Sequence, residues 1–99
     1  MRNGSPAGFR ISGHAGVSEE GTDIVCAAVS SAAYMAANTV TDVIGVPAEV
    51  SEGSGTMSLM LPDEKSAASC STLLRGFRLH MAALQEQYPK NIKLTDTEV

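Results

Sequence analysis

The spacing of apolar side chains changes four times along the chain, and each change marks an element. Phe9, Ile11 and Gly13 alternate with Arg10, Ser12 and His14. That period of two predicts a short strand over 8–13, preceded by a turn in NGSP at 3–6. Residues 15–22, AGVSEEGT, lose the pattern and read as a mobile loop. From 23 to 45 small apolar residues dominate, among them Ala27, Ala28, Ala32, Ala33, Ala36 and Ala37. This predicts a long helix buried on most sides and close to its neighbours. Thr22 or Asp23 serves as N-cap, Asp23 also complements the helix dipole, and Gly45 closes the helix with Pro47 just beyond.

Two alternating runs, 48–51 and 56–61, flank a Gly/Ser turn at 52–55 and predict a β-hairpin. Cys70, Leu74, Phe77, Met81, Leu84 and Tyr88 then recur at four and three residues, one apolar stripe on a helix over 63–88 that ends at Pro89. NIKLTD at 91–96 predicts a last strand. The order strand, helix, hairpin, helix, strand implies an α+β fold. It is a small two-layer domain, with two long helices packed on one side of a mostly antiparallel sheet. Residues 1–99 are read as one domain, with no repeat and no linker.

Composition narrows the chemistry. Only 4% of the residues are aromatic and none is Trp, so the core rests on Ala, Val, Leu, Ile and Met. Residues 1–62 hold two arginines against six carboxylates, which accounts for the whole net charge of −4. With no basic run or stripe, direct nucleic-acid binding is not expected, whereas a basic protein partner suits the acidic half. Two cysteines, Cys26 and Cys70, do not make a disulfide framework. MRNGSPAGFR lacks the apolar core of a signal peptide, and IVCAAVSSAAYMAA reads as too short and too Ser-rich to span a membrane. The expectation is a cytoplasmic protein with reduced thiols.

His14 and Cys26 stand twelve positions apart, at the end of the first strand and the start of the first helix. With Asp23 as N-cap, Cys26 lies in the first helical turn, where unsatisfied amides and the helix dipole favour a thiolate. The loop is long enough to bring the two together, with His14 as general base and then acid. Glu19, Glu20 and Asp23 oppose the thiolate by like charge, unless the Glu pair stays in solvent, where it is free to attract a basic substrate. Read blandly, Cys26 is a small core residue and His14 a surface residue. A redox thiol would need Cys70 as its resolving partner. Cys70 itself, mid-helix on the apolar stripe, reads as core. No C-x-x-C or H-x-x-x-H pair offers a metal site, and nothing calls for a cofactor.

The stretch GFRISGHAG…GTDIVCAAVSS resembles the ribosomal-processing cysteine protease Prp family, through Gly13-His14-Ala15, a Gly-containing loop, the run Asp23 to Ser30, and Asn38. The resemblance implies a Cys–His dyad carried by Cys26 and His14, with supporting roles for Asp23, Ser30 and Gly13. The loop holding Gly16, Glu19, Glu20 and Gly21 would be a mobile flap. The implied substrate is the precursor of large-subunit ribosomal protein twenty-seven, whose N-terminal extension is removed, and the implied assembly is a homodimer in a bacterial cytoplasm. A non-catalytic ribosome-associated binding module is the alternative. In one respect the chain departs from the family. Members open with an apolar strand of the kind Met-Ile-x-Val, whereas Met1 here runs straight into Arg2-Asn3-Gly4. The expectation is that strand 8–13 lacks a hairpin partner and exposes a sheet edge.

Overall fold

The structure, a computed structural model, describes residues 6–12, 22–53, 56–90, 92 and 94, with the backbone alone for Thr22 and Asp23. Its elements are β1 (Gly8–Ser12), α1 (Thr22–Asn38), a π-helical turn (Thr39–Ile44), β2 (Glu49–Gly53), β3 (Thr56–Met60), α2 (Glu64–Ser69) and α3 (Ser71–Gln87). The strands form one antiparallel sheet in the order β1-β3-β2. The hairpin of the sequence pattern is therefore β2–β3, and β1 joins it on the far side of β3.

The register fixes which backbone groups are used. Phe9 faces Leu59 and Ile11 faces Met57. One step outside the ladder, the Leu61 N–H donates to the Ala7 carbonyl at 2.9 Å. Hydrogen-bonded and non-hydrogen-bonded pairs alternate in an antiparallel ladder. Leu61, Leu59 and Met57 thus turn their backbone groups toward β1, and Met60, Ser58 and Thr56 turn theirs toward β2. Their β2 partners are Glu49, Ser51 and Gly53. The backbone groups of Val50 and Glu52 are left on the outer edge.

Side chains alternate with the same period. Met57 and Leu59 enter the core, whereas Thr56, Ser58 and Met60 face the uncovered side with Arg10 and Ser51. Ala33, Ala36, Ala37 and Val40 of the first helical run lie over the inner face. Leu61, just past β3, and Ala67, Cys70, Leu74, Phe77, Met81 and Leu84 of the second run complete the core. The Phe9 and Phe77 rings meet at 4.6 Å between centroids. Both helical runs lie on one side of the sheet, the α+β two-layer arrangement expected.

Four features differ from the pattern, each for a local reason. The helix expected over 23–45 ends as a π-turn. There Thr39 and Thr41 donate their hydroxyls to the Met35 and Ala37 carbonyls at 2.7 and 3.1 Å, which loosens the backbone ladder. Gly45 then closes the run in the left-handed region, at φ 82°. Nor is this helix buried on most sides, since Ile24, Tyr34, Met35 and Val43 are exposed. A single sheet can cover only one stripe of it. The 21 residues Ile24–Ile44 also form one run long and apolar enough to cross a membrane by length and composition alone, so the shorter stretch IVCAAVSSAAYMAA understates it.

The helix expected over 63–88 breaks at Cys70, whose backbone (φ −99°, ψ 2°) leaves the helical range and starts α3. Asp63 caps α2 by accepting the Ser66 N–H at 2.7 Å. The sequence SAASCS then weakens the helix, with Ser69 Oγ donating to the Lys65 carbonyl at 3.1 Å. Cys70 is hence a buried corner and not a mid-helix residue. The last strand is not formed at Ile92 or Leu94. Ile92 N–H donates to the Tyr88 carbonyl at 3.1 Å and Leu94 N–H to Gln85 Oε1 at 2.7 Å. The other residues of 91–96 lie outside the described ones.

Two measurements test this packing. A Cβ at Gly8 would strike the Leu59 carbonyl, at a backbone φ of +155° that side chains rarely adopt. Gly8→Ala is expected to cost at least about 1–3 kcal/mol in chemical denaturation. Cys70 is fully buried, and burial pushes its thiol pKa up. In the native protein iodoacetamide should leave Cys70 unmodified, and modification should appear only through the unfolding transition.

Candidate active site

α1 runs antiparallel to β2, because Gly45–Ala48 turns the chain from one into the other. The Tyr34 hydroxyl donates to the Glu52 carboxylate, so the middle of α1 lies level with the far end of β2. Cys26 precedes Tyr34 by eight residues, which is about 12 Å along a helix. The start of α1 therefore overhangs the sheet. Ser12, Thr56 and Gly53 are opposed across the three strands at that same end. The last residue of β1 and the first turns of α1 thus share one end of the domain.

At about 100° per residue, Cys26 shares a helix face with Ala33, Ala37 and Val40. That face meets the sheet, and Ala33 and Val40 are fully buried on it. Cys26 faces the same way, but beyond the sheet's end, and stays only partly buried. A thiol in that position is aimed into the domain and still open to a reactant. α1 begins at Thr22, which places Cys26 fifth in the helix, past the first turn and later than an N-cap at Asp23 would put it. The amides without an intrahelical acceptor are then those one turn ahead of Cys26.

Of the other residues singled out in the sequence, Ser30 is exposed, one turn along α1 from Cys26. Asp23 belongs to α1, but its side chain lies outside what the structure describes. Gly13, His14, Gly16, Glu19, Glu20 and Gly21 also lie outside the described residues. Among the described residues no three His, Cys, Asp or Glu side chains gather as a metal set.

The sequence reading missed Tyr34. Cys26, Ser30 and Tyr34 follow one another at i, i+4 and i+8, a row on the flank of α1 that leads from the thiol to Glu52. The spacing alone would have revealed the row, but its meeting with β2 depends on the tertiary fold. Glu52 raises the Tyr34 pKa above its usual 10.0 by accepting the phenol's hydrogen bond and by its negative charge. Two hollows lie away from Cys26. One of about 520 Å³, between α1 and α3, is lined by Ala28, Ser31, Ala32, Met35, His80 and Leu84. Ala28, Ala32 and Met35 lie on the side of α1 opposite Cys26. The other, about 310 Å³, lies on the uncovered sheet face around Arg10, Ser51 and Ser58.

Comparison with known proteins bears on the fold and the family. The chain is 26% identical over 92 residues to the ribosomal processing cysteine protease Prp of Bacillus subtilis (strain 168), covering 88% of this chain and 82% of that one. Its fold matches the crystal structure of the essential ribosomal processing protease Prp from S. aureus in complex with a substrate peptide. The TM-score is 0.84 at 20% identity, over 96% of this chain and 91% of that one. A Streptococcus mutans crystal structure matches with a TM-score of 0.75 at 30% identity, over 92% and 83% of the two chains. The family model for the cysteine protease Prp spans residues 1–93, and the chain accordingly belongs to that family of cysteine proteases.

Proposed function

We propose that this protein is an endopeptidase that removes the N-terminal extension from the precursor of large-subunit ribosomal protein twenty-seven, using Cys26 as nucleophile and His14 as general base and acid. The observation that carries this reading is the direction of Cys26. It lies on the sheet-facing side of α1, partly exposed, at the end where β1 stops. His14 follows Ser12 by two residues, a reach of about 7 Å in extended chain.

The reaction then runs as a two-step acyl transfer. His14 accepts the thiol proton as Cys26 Sγ attacks the scissile carbonyl carbon. The carbonyl oxygen becomes an oxyanion, and backbone amides near the start of α1 stabilise it. His14 gives its proton to the departing amine, the peptide C–N bond breaks, and a thioester remains on Cys26. Water, deprotonated by His14, attacks the thioester, and the thiol leaves with its proton restored. In this scheme Asp23 and Ser30 are positioning residues and Gly13 allows close approach beside His14. The stretch holding Gly16, Glu19, Glu20 and Gly21 carries two carboxylates that would attract a basic substrate.

The same reading includes a homodimer in the cytoplasm. Its support is the side of α1 that the sheet leaves uncovered. Ile24 and Met35 there are 66% and 55% exposed, and Leu79 of α3 is 73% exposed. One sheet cannot cover them, and a second copy would.

Three measurements decide the chemistry. Incubated with the unprocessed ribosomal protein, the wild type should yield a single N-terminal truncation by mass spectrometry, and Cys26→Ala none. An intact precursor in both tubes would end the reading. Iodoacetamide should label Cys26 in the wild type, and His14→Ala should slow cleavage about 10²–10⁴-fold, the usual range for a lost general base. Equal cleavage rates in both proteins would remove His14 from the mechanism.

A further inference from the structure

From the free edge of β2 and the row Tyr34–Ser30–Cys26, we propose that the substrate binds as an extended, cationic strand added to β2, leading along α1 to Cys26. This rests on the protease reading above and specifies how its substrate is held.

The backbone supplies the first argument. β2 is exposed at all five positions, and among the described residues no strand lies on its outer side. The register leaves the N–H and C=O groups of both Val50 and Glu52 pointing outward, and their ladder-bonded neighbours are Glu49, Ser51 and Gly53. Four outward groups at alternate positions, without a backbone partner among the described residues, are what an added strand requires.

Charge supplies the second. β2 reads EVSEG, two carboxylates and no cation, and it lies in the half of the chain that holds the whole net charge of −4. An extended segment bearing Lys or Arg is complementary to it. A second copy of β2 is not, since self-pairing would crowd four carboxylates onto one two-stranded ribbon.

Direction and length supply the third. Beyond Glu52 the edge continues into the flank of α1 through the Tyr34 contact. Tyr34 and Ser30 are both exposed along this flank, so a peptide can lie over them. From the level of Tyr34 to Cys26 is about 12 Å of helix. Extended chain covers that in about four residues. The bond opposite Cys26 is therefore about four residues from the part of the peptide paired to β2. Such a mode reads main chain over several positions, and it leaves side-chain choice to the residues nearest the thiol.

The test pairs binding with cleavage. A fluorescent basic peptide spanning the processing junction is titrated against the Cys26→Ala protein, and its cleavage by the wild type is followed separately. Single N-methyl groups are then walked along the peptide. Methylation should weaken binding at alternate residues in the segment about four to six positions from the cleaved bond, by about two- to tenfold per lost hydrogen bond. Val50→Pro removes an outward N–H without touching a β2–β3 bond. It should raise KM by a similar factor, with an unchanged melting temperature and little change in kcat. Methylation effects with no alternation, or confined to the two residues flanking the bond, would overturn the added strand and leave the protease reading intact. Alternating effects on binding without any cleavage by the wild type would do the reverse. If Val50→Pro lowers the melting temperature, the methyl scan on the unaltered edge decides alone.

Discussion

The pairing of β3 on both sides is the constraint on which the rest depends. Leu59 lies at its centre, fully buried, with Phe9 opposite on one side and Val50 on the other. A Leu→Ala change at such a site typically costs about 2–5 kcal/mol. For a core with so few aromatic side chains, that is a large share of the stability available. Because β3 spends its backbone groups on both neighbours, β1 and β2 flank it as the outer strands among the described residues. Because Met57 and Leu59 point to one face only, both helical runs must gather there. The overhang of α1 follows, since a helix of 17 residues is longer than the five-residue strands beneath it.

That overhang separates the tasks of α1 along its length and around its axis. Over the sheet, Ala33, Ala37 and Val40 give a flat, close-packed face. Past the described strands, the same face carries Cys26, which stays only partly buried. Small residues are needed in the first part, because a larger side chain at Ala33 would lift the helix from β3. A shallow helix keeps Cys26 near the level of the strand ends.

Much of this was legible in the sequence, where periodicity carried it. Phe9 and Ile11 identified β1, the two short runs identified the hairpin, and the stripe from Leu74 to Leu84 identified α3. What failed has two causes. The corner at Cys70 and the π-turn at Thr39–Ile44 arise from hydroxyl groups competing for backbone carbonyls, which leaves the apolar period unbroken. The exposed side of α1 was misread because apolar residues such as Ile24, Tyr34 and Met35 also occur on the side that a single sheet does not reach. Cys26 stood out as a candidate from its place after a loop and near a helix start, together with the resemblance of the run around it. Tyr34 was not, because its partner Glu52 is 18 positions away and meets it only once the hairpin has folded back.

The pairing of Tyr34 with Glu52 adds a link between the edge of β2 and the middle of α1. The Glu52 side chain shares the inner face with Met57, yet its residue is exposed, so its carboxylate stands at the rim between sheet and helix. A carboxylate left there without a donor would face solvent and bind neither element. Held by the phenol, it ties the edge strand to α1 eight residues from Cys26. The hydrogen bond uses the protonated phenol, and the raised Tyr34 pKa means that it persists through the neutral range and is lost only at alkaline pH. This contact links the edge strand to the helix that carries the thiol, outside the hydrophobic core and beside the row that leads to Cys26.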